Sequence, residues 1–240
     1  MVKIPRKIIA VIPARGGSKR IKNKNLVMLA GKPLLAHSIE HAKNSKYVAK
    51  VIVSTDDQRI AAVAKKYGAA VVMRPKNLAT DKASSEEALL HVLDNLHKIS
   101  PSPGVGRVRE RSPDAVVFLQ CTSPVRKKDD IDKAIRHFIK TRADSLFSAC
   151  RNYGLVWERR KGKFYSLNYD FRHRKREQKM APQYRENGSI YVLKPEILKK
   201  YHNRLGGKIA VYEMDFWKSF QVDEPQDLKF VEWIIKNWVR

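Results

Sequence analysis

The chain has 240 residues, 43% of them hydrophobic, which is enough apolar material for a core and excludes a disordered polymer. No apolar run reaches the ~18 residues needed to span a bilayer, so no membrane-spanning helix is expected. Against 24 Asp and Glu stand 49 Lys and Arg, a net charge of +25; this favours a polyanionic partner (nucleic acid or a phosphate-rich substrate) or simply marks a Lys-rich surface, and charge alone does not choose.

In chain order, "KIIAVIPA" (7–14) reads as a strand buried on both faces. Its apolar run ends at Pro13 without a small-residue cleavage site, so no signal peptide is expected. A basic glycine loop follows, then a helix over 32–45 with apolar residues at Leu35, Ile39 and Ala42. Strands at 49–57 and 69–75 flank a helix at 58–68. The helix at 83–99 opens with Ser84 and Glu87 at capping-box spacing. "SPSPGVGRVRERSP" (100–113) is a low-complexity surface insert. A strand at 114–120, a helix at 129–141 and a strand at 144–150 continue the alternation. From 151 to 187 the pattern turns irregular, basic and aromatic, and alternation in "KGKFYSL" predicts a hairpin or extended arm outside the main sheet. Strands at "GSIYVL" and "KIAVYEM" and a final helix close the chain, with Leu228, Val231, Ile235 and Trp238 on one packed face. Cys121 and Cys150, far apart and each in an apolar stretch, read as buried thiols of a reducing compartment, hence a cytoplasmic protein.

Alternating continuous apolar strands and helices predict an α/β, Rossmann-like, doubly wound and mostly parallel sheet. In such sheets ligands lie beyond the carboxyl ends of the strands. "ARGGSKRIKNKN", "STDD", "MRP", "QCTSPVR" and "QVDEP" all fall at such ends. Arg15-Gly16-Gly17-Ser18-Lys19-Arg20 allows a tight turn with exposed N–H groups and adds cations at once, with Lys22 and Lys24 behind, a pattern suited to an anion carrying several charges. It is neither a P-loop nor a dinucleotide fingerprint. Arg74 is a strand-end ion pair or an anion contact. Ser84 and Ser85 serve a helix N-terminus, which also offers N–H groups to a ligand. Gln120, Thr122, Ser123 and Arg126 form either a polar turn or an acceptor site. Asp223, with Gln226 three residues on, is either a capping box or a ligand for a hard cation.

These motifs, "IPARGGSKRIKNKNL…GKPLLAHSI", "VIVSTDD", "VVMRPKNLATDKASS", "LQCTSPVR", "RENGSIYVL" and "VDEPQDL", together resemble the cytidylyltransferases that activate sialic acids, the CMP-sialic acid synthetases, from about Ile8 to Val239. The resemblance implies one nucleotidyltransferase domain over 1–240, with 151–187 inserted as an arm that dimerises the protein and completes the sugar site. It implies Mg²⁺ dependence, with Asp223 as metal ligand and with Arg15, Lys24 and Asp223 as catalytic groups. Nucleotide contacts are expected from Arg15, Gly16, Gly17, Ser18, Asn25, Arg74, Ser84 and Ser85. Sugar contacts are expected from Gln120, Thr122, Ser123, Arg185, Asn187 and Tyr191, with the sugar carboxylate assigned to Arg174 or Arg176. The expected reaction joins CTP to a nonulosonic acid, or to a pseudaminic, legionaminic or 3-deoxy-octulosonic acid, with release of pyrophosphate. Two departures stand out: Gln221-Val222-Asp223 replaces the Asp-x-Asp often found there, and Glu177 separates Arg176 from Gln178. A nucleic-acid-binding protein is the reading from another class; it rests on charge and on the basic aromatic arm, and no base-reading motif accompanies it.

Overall fold

Side chains of the first strand, β1 (Ile8–Pro13), divide between two cores: Ile8, Ala10 and Ile12 face one, Ile9 and Val11 the other. Burial on both faces is what makes the segment an unbroken apolar run. The computed structural model describes residues 7–99 and 112–239, so most of the 100–113 insert lies outside the described residues.

Beyond β1 the basic loop enters a single 3-10 turn at Lys24–Leu26. A short ribbon of β2 (Met28–Leu29) and β3 (Lys32–Pro33) leads into α1 (Leu34–Lys43). Next come β4 (Val48–Thr55), α2 (Gln58–Lys66), β5 (Ala70–Met73) and α3 (Ser85–Asp94). The predicted 83–99 helix thus ends early, at Asn95, whose Nδ2 donates to the His91 carbonyl; one 3-10 turn, Leu96–Lys98, follows. The chain goes on through β6 (Ala115–Leu119), α4 (Asp130–Thr141) and β7 (Ser145–Arg151). The arm carries the predicted hairpin, β8 (Trp157–Arg160) and β9 (Lys163–Ser166). Its turn places Lys161 and Gly162 at φ +47° and +80°, the left-handed pair that fits the twist of a two-residue hairpin loop. Last are β10 (Tyr184–Leu193), α5 (Pro195–Tyr201), β11 (Ile209–Glu213) and α6 (Pro225–Trp238).

Seven strands form the main sheet in the order β11-β7-β10-β6-β1-β4-β5. All neighbours run parallel except that β10 is antiparallel to both β6 and β7. The exception has a simple cause: the arm leaves the end of β7 and returns beside it, pairing Arg151 with Tyr184, so β7 and β10 form one very long hairpin. Leu35 and Ile39 of α1, Ile60 of α2 and Ile135 of α4 fill the core on one face; Leu89 and Val92 of α3 and Leu198 of α5 fill it on the other. The sheet is therefore doubly wound. On α6, Val231 and Ile234 are the buried residues, and Leu228 and Ile235 pack beside them. Trp238, expected on that packed face, is instead half-exposed and stacks edge-on against Trp217 and Trp233. No described helix is long and apolar enough to cross a membrane.

From β1 the chain moves to β4 and β5 on one side, and β6 lies on the other. The strand order reverses between β1 and β6, and there their carboxyl ends diverge and leave a crevice.

Candidate active site

That crevice is a cleft of about 510 Å³, within the usual range for a small-molecule site. Five cations line it, Arg15, Lys19, Arg20, Lys24 and Arg74, against two carboxylates, Asp81 and Asp223. The loop after β1 supplies four of the five. Asn25, nearly buried, anchors that loop by donating from Nδ2 to the Arg15 carbonyl at 2.9 Å. Lys24 reaches the far wall, donating to the Val222 carbonyl at 2.9 Å and to Asp223 Oδ1 at 3.0 Å. Arg20 pairs with Glu224 at 3.3 Å, and Arg15 pairs with Asp81 at 2.9 Å. Arg74 comes from the end of β5. Its guanidinium donates to the Ser54 and Leu78 carbonyls, and burial lowers its pKa. Its Nε, buried at the cleft wall, has no partner among the described residues.

Three further walls complete the site. The N-terminus of α3 brings Ala83, Ser84 and Ser85 to the cleft. Ser84 is occupied structurally: its Oγ accepts from the Glu87 N–H at 3.1 Å while Glu87 Oε2 accepts from the Ser84 N–H at 2.7 Å, the predicted capping box. Ser85 is therefore the freer serine. The turn after β6 contributes Gln120, Cys121 and Thr122, and Phe118 lies under it. Burial pushes the Cys121 thiol up to about 12, so it is no nucleophile at neutral pH. Asp223 stands just before α6, and here the sequence expectation changes. The cap of α6 is Glu224 with Asp227, whose Oδ2 accepts from the N–H groups of both Glu224 (2.7 Å) and Asp223 (2.9 Å). The Asp223–Gln226 box does not form, and the Asp223 carboxylate faces the cleft half-exposed, with Lys24 as its partner.

Such a cleft, at a sheet's switch point and strongly basic on one wall, agrees with the comparison with known families: the cytidylyltransferase model matches residues 9–237. The chain belongs to the cytidylyltransferase family. It is 33% identical over 236 residues to an N-acylneuraminate cytidylyltransferase of Escherichia coli, covering 93% of this chain and 51% of that one. It is 32% identical over 245 residues to a pseudaminic acid cytidylyltransferase of Campylobacter jejuni, covering 96% and 97%. The chain thus spans about half the length of the first relative and nearly all of the second. A solved CMP:2-keto-3-deoxy-manno-octonic acid synthetase complexed with CTP superposes with a TM-score of 0.69 over 96% of this chain and 98% of that one; at 20% identity this shows a shared fold.

Not every residue that the resemblance singles out reaches the cleft. Gly16 and Gly17 do not line it. The Gly16 N–H is spent on Asp56 Oδ1 at 3.0 Å, and a Cβ at Gly16 would sit 2.8 Å from Asp57 Oδ2; this glycine permits close approach between the loop and the end of β4. Ser123, Asn187 and Tyr191 are buried and structural. β10 carries a wide irregularity between Glu186 and Tyr191, and the Asn187 side chain plugs it, with Oδ1 accepting from Ser148 Oγ at 2.6 Å and the Ser189 N–H at 3.1 Å. Ser123 Oγ donates to the Asn187 carbonyl. Tyr191 stacks on Phe118 at 5.1 Å and bonds Glu186 through its hydroxyl, supporting the cleft floor from behind. Arg185 donates to Ser219 Oγ at 2.8 Å and lies over Phe216. Arg126 is fully buried; it clamps the Gln120 carbonyl (3.1 Å), the Ser189 carbonyl (2.7 Å) and Ser38 Oγ (3.1 Å), and burial pulls its pKa down to about 10. Arg174 and Arg176 sit exposed on the arm, outside this cleft.

Conversely, Asp81 and Phe118 line the cleft without having been singled out. Phe118 hides inside a buried strand. Asp81 stood within a quoted motif, but only proximity to Arg15 reveals a role for it.

Proposed function

We propose that this protein transfers the cytidylyl group of CTP to the anomeric hydroxyl of an acidic nine-carbon α-keto sugar, a nonulosonic acid of sialic type, giving the CMP-sugar and pyrophosphate. One observation carries the proposal: a single cleft joins a five-cation phosphate wall to a helix N-terminus and to a polar turn. In this reaction the sugar oxygen attacks the α-phosphorus and the bond to pyrophosphate breaks, so catalysis is mostly positioning and electrostatic stabilisation. Arg15, Ser18, Lys19 and Lys24 surround the triphosphate and favour the charge that develops on its oxygens. Arg74, from the end of β5, adds a further positive charge. Ser85 faces the base, and Gln120 and Thr122 orient the acceptor. The relatives' names support a nonulosonic acceptor, but identities of 33% and 32% do not separate sialic from pseudaminic acid. The same reaction on pseudaminic, legionaminic or 3-deoxy-octulosonic acid is therefore the alternative.

Asp223 suits Mg²⁺. Its carboxylate is free of the helix cap and faces the cleft. Gln221 is committed elsewhere, donating to the Asn187 carbonyl at 2.9 Å, and no group of three His, Cys, Asp or Glu residues is gathered among the described residues. Mg²⁺ commonly takes one or two carboxylates with substrate phosphates and water, so a single carboxylate suffices. When bound, the ion would neutralise charge on the phosphates.

A homodimer joined through the arm belongs to the same proposal. Tyr153, Trp157, Phe164, Tyr165 and Phe171 are exposed there, and Arg174 and Arg176 would serve the partner's cleft. The two buried free cysteines support a cytoplasmic setting. The test is pyrophosphate release from CTP and Mg²⁺ with the four sugars offered separately. Release with one of them is expected and names the acceptor; CTP that neither binds nor turns over would overturn the proposal.

A further inference from the structure

Asp81 is a carboxylate in a cleft meant for anions, and the reaction above gives it nothing to do. Its two oxygens are divided between two cations of the facing loop: Arg15 Nη1 lies 2.9 Å from Oδ1 and Lys19 Nζ lies 2.5 Å from Oδ2. Arg15 also donates to the Thr80 carbonyl at 3.0 Å, so residues 80 and 81 together are tied across the cleft mouth. The hydrogen bond from Lys19, then the charges of Lys19 and Arg15, hold the Asp81 carboxyl below its ordinary pKa, and it is ionised at neutral pH. Two oxygens bridging a guanidinium and an ammonium match, in charge and spacing, the grip those groups take on a phosphate.

Asp81 is also built to let go. Among the described residues no backbone N–H donates to it, and its side chain is 46% exposed. Asp223 differs: its partner Lys24 is 13% exposed and is held a second time by the Val222 carbonyl. A half-exposed pair is worth little and exchanges easily for a stronger anion.

We propose that Asp81 is a displaceable counter-ion: its carboxylate holds on Arg15 and Lys19 the place of an oligophosphate, and nucleotide binding exchanges one anion for the other. This rests on the nucleotide reading above and deepens it. The exchange keeps the loop neutralised before substrate arrives. It also lowers the net affinity for triphosphate and eases departure of pyrophosphate, because the competing carboxylate stays tethered beside the site.

The test is calorimetric titration of the full chain with inorganic tripolyphosphate and with CTP, at low and high NaCl, for the wild type and Asp81→Asn. Removing the competitor gains affinity, which loss of a structural contact does not. Asp81→Asn is expected to bind tripolyphosphate about three- to tenfold more tightly at low salt, with the ratio falling toward one as salt rises. The KM for CTP should fall in parallel. In a Lys19→Met background the gain from Asp81→Asn should shrink, since one of the two contested cations is gone. Equal or weaker binding by Asp81→Asn, or a gain independent of salt, would overturn the counter-ion. A wild type that binds neither probe would instead overturn the nucleotide reading, and the counter-ion with it.

Discussion

Two of the walls of the cleft are built on opposite principles. The base of the loop after β1 is anchored by Asn25 and Lys24, but its outer cations are held by ion pairs open to solvent, from Arg15 and Lys19 to Asp81 and from Arg20 to Glu224. The turn after β6 is held from behind by the buried Arg126, whose Nη1 and Nη2 donate to two carbonyls and a serine hydroxyl. Ion pairs in water are weak and rearrange; buried hydrogen bonds to a desolvated cation cost much to break. The outer part of the loop can therefore reshape around a variable charge, while the turn keeps one geometry.

The contrast breaks most visibly at Arg126. Arg126→Met leaves the Gln120 and Ser189 carbonyls without a donor that they now have, and a loss on the order of 4 kcal/mol is expected. Chemical denaturation should show a lower midpoint at unchanged slope. A loss below about 1 kcal/mol would mean that the turn is no more rigid than the loop.

The same buried layer should respond to pH. His37 on α1 donates to the Leu29 carbonyl at 2.8 Å, and desolvation lowers its pKa to about 4. Burial lowers His41, one turn on, in the same direction. A folded-state pKa below the unfolded value means that the unfolded chain binds the proton first. The contribution of His37 is therefore fully present above its unfolded pKa near 6.5 and is lost as pH falls from there through about 4. The size is about 3 kcal/mol for a shift of this extent. Denaturation midpoints between pH 7 and 4 measure it, and His37→Gln should flatten the slope.

Across the cleft from the loop, Asp223→Asn is expected to lower kcat about a hundredfold while hardly changing stability, since its pair with Lys24 is half-exposed on the Asp side. Rate and CTP affinity measured separately decide it. A large loss of affinity with kcat intact would assign Asp223 to ground-state binding alone.

These differences also explain what was legible in the sequence. The fold was, because it follows from periodicity: β1 alternates between two cores, and Ser84 with Glu87 caps α3 as their spacing requires. The basic loop was, because consecutive charges after a strand need no partner to be noticed. The polar turn after β6 was legible only in part: Gln120 and Thr122 line the cleft, but Ser123 does not. Ser123 follows β6 and Asn187 lies within β10, and the resemblance gave both to the sugar; they are spent on the β10 irregularity, where Asn187 bonds Ser148, 39 positions away. Asp223 and Glu224 compete for one cap, and only the geometry of Asp227 awards it to Glu224. Asp81 was invisible because its meaning lies in Arg15, 65 residues from the Thr80 that precedes it.

The finest separation lies within the glycine pair itself. Gly16 touches the end of β4, and a methyl there would meet Asp57, which is also the N-cap of α2, accepting from the Arg59 and Ile60 N–H groups. Gly16→Ala must push the loop outward or dislodge that cap, at a cost of about 1 kcal/mol, and should raise the KM for CTP by displacing Arg15. Gly17 has open space where a Cβ would stand and no positive φ. Gly17→Ala should therefore alter neither midpoint nor KM beyond a few tenths of a kcal/mol. Thermal unfolding and CTP kinetics on the two variants side by side are enough. Equal damage from both would show that the loop must come closer to its ligand at Gly17 than a methyl allows, and that its backbone shape matters as well as its cations.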